Sequence, residues 1–212
     1  MRTYKMIVFD CDGTLVDSAI MISMLYEGYQ KMYPHREALP YEHFIPCYFQ
    51  TDLENCTYLK VRPEDKERFE DICFHQREDE IDSVKPFPAI NEVLIGIRNL
   101  GYALGIATSR SYEAYYKMRT QLSQEAFDCF SCIGVQDVVE HTKPAPDVLF
   151  YIMEQTGFTK EQLLFVGDSV NDAQCAEAAG VDFVWAKWGN VGTEALSCNY
   201  AAEAPKELLK YL

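Results

Sequence analysis

The sequence predicts an α/β protein with a doubly wound parallel sheet as its core and a helical domain inserted after the first strand. Short apolar runs alternate with helix-like segments over most of the chain, whereas residues 17–85 contain helical patterns and no convincing strand. Such alternation is typical of parallel sheets with helices on both faces, in which ligands bind beyond the carboxyl ends of the strands. Polar residues that follow these strands are therefore the main candidates for a functional site.

Five apolar runs of four or five residues are predicted to be buried parallel strands, because they lack the polar alternation of a half-exposed strand. They are Met6–Phe9, Ala103–Ala107, Cys132–Val135, Leu163–Val166 and Phe183–Ala186. The segments between them carry helical patterns, near Ile90–Leu100, Tyr112–Leu122, Asp147–Thr156 and Asp172–Ala179.

The inserted region contains three further helical patterns, near Ser18–Met32, Tyr41–Leu59 and Glu64–Ile81. Pro86 and Pro88 mark the return to the core. We therefore predict a Rossmann-like core formed by residues 1–17 and 85–212, and a helical domain formed by residues 18–84. Because the insertion directly follows the first strand, a cap over the site is favoured over a structural decoration.

The composition limits the classes of partner. A chain of 212 residues that is 48% hydrophobic can bury a large core, as one domain or as a core with a smaller insertion. Nineteen basic and 33 acidic residues give a net charge of −14, which disfavours nucleic acid and anionic membranes as partners. We expect a monomer or homodimer that binds a small molecule, with a metal or local cations attracting any anionic substrate.

The eight cysteines are expected to be free thiols, since a chain of this size and hydrophobicity needs no disulfide framework. Cys129 and Cys132 form a CxxC pair, but it precedes a strand-like stretch and has no second pair to complete a zinc site. The sequence shows no signal-peptide pattern and no apolar run near the ~18 residues of a membrane span. A reducing cytoplasm is the expected location.

Chemically suitable residues follow four of the predicted strands. Asp10 and Asp12 come directly after the first, where one carboxylate can act as a nucleophile and the other can move a proton, and Gly13 permits a sharp turn. Hydroxyls and backbone amides for phosphate oxygens follow the second strand at Thr108 and Ser109. The later loops supply one cation and two more acids, at Lys143, Asp168 and Asp172.

Four acids that converge at one edge of the sheet would repel one another without a cation. Oxygen ligands favour Mg²⁺ over Zn²⁺. The metal ligands predicted are Asp10, Asp12, Asp168 and Asp172. Such an ion, together with Lys143, would also make the pocket of an acidic protein attractive to phosphate.

The motifs Asp10-Cys-Asp-Gly-Thr-Leu-Val-Asp-Ser18, Lys143-Pro and Gly167-Asp-Ser-Val-Asn-Asp172 resemble those of the haloacid dehalogenase-like hydrolases. The resemblance spans nearly the whole chain and is greatest to the subgroup with a helical cap after strand one, such as phosphoglycolate phosphatases. It implies a magnesium-dependent phosphatase in which Asp10 becomes a phosphoaspartate and Asp12 is the general acid/base. By the same resemblance, the Asp12 backbone carbonyl joins Asp10 and Asp168 around Mg²⁺, and Asp172 supports the metal shell.

The resemblance further assigns Thr108 and Lys143 to the transferring phosphoryl group, with Gly13 and Ser109 as additional phosphate contacts. The expected substrate is a small phosphorylated metabolite. Substrates of different family members include phosphoglycolate, sugar phosphates, nucleotides and pyrophosphate. The inserted domain offers candidate substrate contacts at His35, Arg36, His43, Lys60 and Arg62.

Two alternatives remain open at this point. A phosphosugar mutase of the same family would return the phosphate to its substrate, and a catalytically silent phosphate- or metal-binding protein would share the fold. Retention of both Asp10 and Asp12 argues against the silent protein, because binding alone does not need paired acids. A dehalogenase or phosphonate-cleaving relative is disfavoured, since those enzymes lack an acid where this chain has Asp12.

Overall fold

A computed structural model describes residues 4–50, 52–74, 76, 83–189, 191 and 195–212. The chain divides into two compact units, Met1–Asp17 with Lys85–Leu212, and Ser18–Val84. We call the first the sheet unit and the second the helical unit, after the elements that each contains.

The sheet unit contains one six-stranded sheet in which every pair of neighbouring strands is parallel. Its spatial order is β3-β2-β1-β4-β5-β6. The strands are β1 Met6–Phe9, β2 Ala103–Ala107, β3 Phe130–Gly134, β4 Leu163–Gly167, β5 Asp182–Ala186 and β6 Tyr200–Ala202. This arrangement confirms the predicted fold class, since the strand order reverses beside β1 as in doubly wound sheets.

The helical unit begins with α1 Ile20–Met32, which buries Ile22, Leu25 and Tyr29 along one face. A 3₁₀ helix, α2 and α3 follow, spanning Tyr41–Phe49, Asp52–Tyr58 and Lys66–Cys73. The single helix predicted near Tyr41–Leu59 is therefore wrong in detail, because a 3₁₀ helix and the separate helix α2 take its place. Pro46 lies within the 3₁₀ helix and lacks the N–H that a continuous α-helix would need.

The third helix predicted for this region also differs from the structure. A 3₁₀ turn at Pro63–Asp65 precedes α3, and the end of the prediction, residues 77–81, lies outside the described residues.

The helices of the sheet unit cover the sheet with apolar stripes. In α4, Ile90–Asn99, the residues Ile90, Val93, Leu94 and Ile97 are buried at the spacing of one helix face. The helices after it are α5 Tyr112–Lys117, α6 Gln124–Phe127, α7 Asp147–Thr156 and α8 Val170–Ala179. The last two pack on one core with β1, β4 and β5, in which Leu149, Phe165 and Phe183 are buried.

Besides shifts of one or two residues at other ends, the structure departs from the predicted elements of this unit in β3, in the helix after β2 and in β6. The strand predicted at Cys132–Val135 begins earlier, at Phe130, so Cys132 lies within it. The helix predicted for Tyr112–Leu122 ends at Lys117, and a 3₁₀ turn and the separate helix α6, capped by the Ser123 hydroxyl, follow. Strand β6 has only three residues at the sheet edge, too short for a hydrophobic pattern to indicate it.

None of the eight cysteines, all of which lie in the described residues, forms a disulfide, and only Cys198 is exposed. Across the described ranges, no helix combines the length and hydrophobicity needed to cross a membrane.

Candidate active site

The loop after β1 is fixed by backbone hydrogen bonds at both ends. The Asp10 N–H donates to the Val166 carbonyl of β4 at 2.9 Å, which continues the strand pairing to the first acid of the motif. Beyond it, the N–H groups of Leu15 and Val16 both donate to the Cys11 carbonyl. The chain thus turns back immediately, and Asp10 stays buried at the end of the central strand.

Gly13 is required by the shape of this turn. Its φ is +70°, a region that residues with a side chain rarely adopt, and a Cβ would lie 2.0 Å from Asp168 Oδ2. The backbone of the first motif therefore packs directly against the carboxylate supplied by the end of β4. Only glycine allows that approach.

Lys143 lies between two carboxylates. Its Nζ is 2.6 Å from Asp10 Oδ1 and 2.6 Å from Asp172 Oδ1, and all three side chains are buried. Burial alone would lower the pKa of the Lys143 ammonium, but the two carboxylates outweigh burial and raise it. Lys143 therefore remains charged and links Asp10, directly after β1, to Asp172 of α8.

Asp172 is held by the start of α8. Its Oδ2 accepts from the Ser169 N–H at 3.0 Å and from the Ser169 hydroxyl at 2.6 Å, while its own N–H donates to the Ser169 hydroxyl oxygen. This reciprocal capping box satisfies backbone donors of the first helical turn. Because both of its oxygens are engaged, Asp172 is rigidly positioned.

Asp168 completes a cluster of three buried acids. One carboxylate oxygen each from Asp10, Asp168 and Asp172 lies within 4.8 Å of the others, an arrangement that could hold a metal ion. Asp168 Oδ2 is buried and makes no hydrogen bond to any described residue. A buried carboxylate oxygen without a donor is costly, and a bound cation would satisfy it.

The electrostatics of the three acids agree with this interpretation. Burial raises the pKa of the Asp10 carboxyl to about 7; Lys143 opposes that rise, and Asp172 and Asp12 add to it. Burial, followed by repulsion from Asp172 and Asp10, raises the pKa of Asp168 well above its usual range. A single ammonium does not balance three buried carboxylates, so the donor set fits a hard divalent cation.

Asp12 does not share this cluster through its carboxylate. Its two oxygens accept from Arg110, Oδ2 from Nε at 2.7 Å and Oδ1 from Nη2 at 2.6 Å. Arg110 directly follows Thr108 and Ser109 in the chain, but neither spacing nor periodicity indicates its pairing with Asp12 across 98 residues. It is the most important contact that sequence reasoning missed.

Thr108 and Ser109 directly follow β2. Thr108 is buried, its N–H donates to the Gly134 carbonyl, and its hydroxyl oxygen accepts from the Arg110 N–H at 3.2 Å. Ser109 is half-buried. Their predicted contacts with phosphate remain predictions.

A second contact missed from sequence comes from the turn after β5. The Trp188 indole Nε1–H donates to the Thr14 carbonyl at 3.0 Å. Nothing in the pattern around Trp188 indicates a partner 174 positions earlier. The bond fixes the far side of the Asp10–Thr14 turn.

Three of the five candidate substrate contacts of the helical unit have side-chain partners within that unit. Arg36 lies 3.8 Å over the Tyr33 ring and donates to the Tyr29 hydroxyl, and Arg62 pairs with Asp65 at 2.6 Å. His43 is half-buried and stacks on Tyr58, whereas His35 and Lys60 are exposed. A role in substrate contact stays a prediction for all five.

Comparison with known proteins agrees with the site. Residues 7–186 match the model of the family described as haloacid dehalogenase-like hydrolase. A phosphoglycolate phosphatase of Aquifex aeolicus is 27% identical over 98% of this chain and 96% of its own. The pyrophosphatase PpaX of Bacillus mycoides is 28% identical over 97% and 95% of the two chains.

Among solved structures, a subfamily IA hydrolase of this superfamily from Geobacter sulfurreducens is 25% identical. It superposes with a TM-score of 0.72 over 98% of this chain and 96% of its own. Sequence and structure therefore agree with the buried acids at the strand ends. The chain belongs to the haloacid dehalogenase-like hydrolases, in the helical-cap subgroup that includes its phosphoglycolate phosphatase relatives.

Proposed function

We propose that this protein is a magnesium-dependent phosphatase that hydrolyses a small phosphate monoester through a phosphoaspartate on Asp10. The observation that carries the proposal is the buried group of Asp10, Lys143 and Asp172, with an unsatisfied oxygen of Asp168 beside it. The family match and the phosphoglycolate phosphatase and pyrophosphatase relatives support it.

In the first step an Asp10 carboxylate oxygen attacks phosphorus, and the bond from phosphorus to the ester oxygen breaks. The alcohol leaves, and the phosphoryl group is held on Asp10 as an acyl phosphate. Lys143, already 2.6 Å from Asp10 Oδ1, stabilises negative charge on the transferring group. Thr108 is proposed to donate to a phosphoryl oxygen.

Asp12 is assigned the proton transfers. It donates a proton to the departing alkoxide and then takes one from the water that hydrolyses the acyl phosphate, which frees Asp10 and inorganic phosphate. Its position two residues after the nucleophile, on the same tight turn, supports this division of labour.

The proposed metal ligands are Asp10, Asp168 and the Asp12 backbone carbonyl, with Asp172 supporting them. A bound Mg²⁺ would supply charge neutralisation for the transferring phosphoryl group. Asp168 is suited to be a direct ligand because its Oδ2 has no competing donor among the described residues, whereas Asp172 accepts from Lys143 and Ser169.

We assign the helical unit the role of a cap that limits the substrate to a small metabolite. Membership of the helical-cap subgroup supports this role. Its candidate substrate contacts are His35, Arg36, His43, Lys60 and Arg62.

The test is chemical trapping of the intermediate. Protein with Mg²⁺ is mixed with ³²P-labelled substrates, starting with phosphoglycolate and pyrophosphate, and quenched in acid within milliseconds. Label should stay on the denatured protein, be released by hydroxylamine as an acyl phosphate is, and be absent from Asp10→Asn. Turnover without bound label would refute the covalent route, and transfer of label to a second sugar hydroxyl would identify a mutase.

A further inference from the structure

Arg110 is a second cation at the site, and the phosphate chemistry of Asp10 and Lys143 does not use it. Its side chain is 15% exposed and that of its partner Asp12 is 25% exposed, so the pair is accessible to a ligand. Lys143, by contrast, is 6% exposed and already bridges two carboxylates. A protein with a net charge of −14 that places an arginine here concentrates positive charge where an anion can use it.

The guanidinium is held in place independently of Asp12. Arg110 Nη1 donates to the Ala114 carbonyl at 3.3 Å, and the Arg110 carbonyl accepts from the Gln136 N–H at 3.0 Å. These contacts fix the side chain to the start of α5 and the backbone to the turn after β3. The arginine would therefore remain in place if Asp12 changed partner.

The donors of Arg110 are only partly used. Nε and one N–H of Nη2 bind Asp12, and one N–H of Nη1 binds Ala114. A guanidinium carries two N–H bonds on each Nη nitrogen. One donor on each of Nη1 and Nη2 thus has no acceptor among the described residues and is available to an oxygen of a carboxylate or phosphate.

The present pairing also conflicts with the proposed work of Asp12. Both of its carboxylate oxygens are engaged by Arg110, whereas proton transfer requires one of them to reach the leaving-group oxygen. An anion bound to Arg110 would compete with Asp12 for the same positive charge. Its arrival would loosen the Asp12 contact at the moment when substrate is present.

We propose that Arg110 determines specificity by binding a second anionic group, a carboxylate or a phosphate, on the leaving group of the substrate. Because Arg110 touches Asp12, which acts on the ester oxygen, that group must lie within a few bonds of this oxygen. The preferred substrates are then small phosphate monoesters with two anionic ends. This inference rests on the proposed phosphatase function and narrows its substrate class.

The test compares kcat/KM for three phosphate esters with two-carbon leaving groups: phosphoglycolate, ethylene glycol bisphosphate and 2-hydroxyethyl phosphate, whose leaving group is uncharged. Arg110→Gln should lower the preference for an ester with an anionic leaving group over 2-hydroxyethyl phosphate by about 10- to 100-fold, the range for losing hydrogen bonds to a charged group. The ester whose preference falls identifies the carboxylate or the phosphate as the bound group. Arg110→Lys keeps the charge but loses the planar set of guanidinium donors. Its preference for the ester with the anionic leaving group should lie between those of Arg110→Gln and wild type.

Arg119→Gln is the matched control, because Arg119 is an arginine of the same unit that packs on the Tyr116 ring, outside the site. It should leave the preference unchanged. An equal loss on all three esters in both Arg110 variants would overturn the proposal and leave Arg110 as a positioning residue for Asp12.

A binding measurement separates this inference from the proposed function. Calorimetry with Mg²⁺ compares 3-phosphonopropionate, which cannot be hydrolysed, with propylphosphonate, which lacks the carboxylate. Wild type should bind the first more tightly by at least tenfold, and Arg110→Gln should abolish the difference. That result would stand even if no ester, including an aryl phosphate, were hydrolysed. Equal affinity of wild type for the two phosphonates would overturn the proposal that Arg110 binds a carboxylate. Comparing a bisphosphonate with propylphosphonate in the same way tests whether Arg110 binds a phosphate.

Discussion

Gly189 packs so closely against Gly13 that a Cβ at position 189 would lie 1.4 Å from the Gly13 carbonyl oxygen. Gly13 in turn has no room on its other side, where Asp168 lies. The turn after β5, the turn after β1 and the carboxylate after β4 are thus stacked without space for one extra carbon. Trp188 adds its bond to Thr14 beside this stack.

We predict that Gly189→Ala impairs catalysis although residue 189 has no assigned part in the chemistry. The added methyl must displace the Gly13 backbone toward Asp168, and displacements of this kind can cost about 10²-fold in rate. The measurements are kcat and the Mg²⁺ concentration giving half-maximal rate.

Two other glycines serve as controls for that variant. Gly96→Ala has open space on α4 and should raise the free energy of unfolding by up to ~1 kcal/mol without altering catalysis. Gly105→Ala would crowd the end of the Met6 side chain and report core strain alone. If Gly189→Ala lost stability as Gly105→Ala does but kept wild-type kinetics, the stacking would have no catalytic meaning.

Asp10→Asn should abolish turnover and leave the fold intact. The amide is nearly the same shape as the carboxylate but cannot attack phosphorus, so kcat should fall at least about a thousandfold, ~4 kcal/mol in the barrier. Circular dichroism checks the fold, and steady-state kinetics checks the rate. A variant that kept more than about a tenth of the wild-type rate would show that Asp10 is not the nucleophile.

Asp12→Ala should affect substrates unequally. Loss of the general acid should slow phosphorylation of Asp10 by an alkyl phosphate roughly 10²–10⁴-fold, and by an aryl phosphate much less, because an aryl oxide leaves without a proton. Rapid-quench measurement of the first step separates this effect from the later hydrolysis. Equal slowing with both substrates would argue against the acid role.

Metal removal should abolish activity, and Mg²⁺ should restore it. Asp168→Asn should raise the Mg²⁺ concentration needed, because the carboxylate oxygen without a hydrogen bond would be gone. Ca²⁺ should bind and support little turnover, since it takes more ligands at about 2.3–2.6 Å and can draw a second Asp10 oxygen away from phosphorus. Full activity in a chelator would contradict the metal assignment.

Metal binding should also change the pH dependence of stability. Burial raises the pKa of Asp10 to about 7 and that of Asp168 well above its usual range, so the folded metal-free protein retains protons that the unfolded chain has released. Its free energy of unfolding should therefore decrease as pH rises from about 4 to about 7. A divalent cation needs the deprotonated acids, so the rise in Tm on adding Mg²⁺ should grow between pH 5.5 and 7.5.

Differential scanning fluorimetry at matched ionic strength measures this prediction. Asp168→Asn supplies the control, in which the pH dependence of the Mg²⁺ effect should weaken. A Tm increase that stayed constant across this pH range in wild type would show that the cation binds elsewhere.

The fold and the positions of the acidic motifs are predictable from the sequence because each depends on a local pattern. An apolar run such as Met6–Phe9 identifies a buried strand, and parallel strands bring the residues after their ends to one edge, which is why Asp10, Lys143 and Asp172 meet. The roles given to these residues remain predictions. What the sequence could not indicate are contacts that depend on the exact course of two loops far apart in the chain.

The Arg110 pairing with Asp12 and the Trp188 bond to Thr14 are of this second kind. Both depend on how far a side chain reaches from a turn, which neither hydrophobic period nor residue type encodes. Strand β6 escaped prediction for another reason, since three residues at an edge carry too little periodicity.

The central position of β1 governs when the site can exist during synthesis. Met6 pairs with Ala103 on one side and with Leu163 on the other, so the strand made first waits for partners made about 100 and 160 residues later. Contacts so distant in sequence form slowly, because long loops must close first. A nascent chain that has not yet released β4 carries Asp10 on a strand with an open edge and lacks Asp168. The group of three acids therefore cannot assemble before β4 and the Asp168 that follows it have left the ribosome.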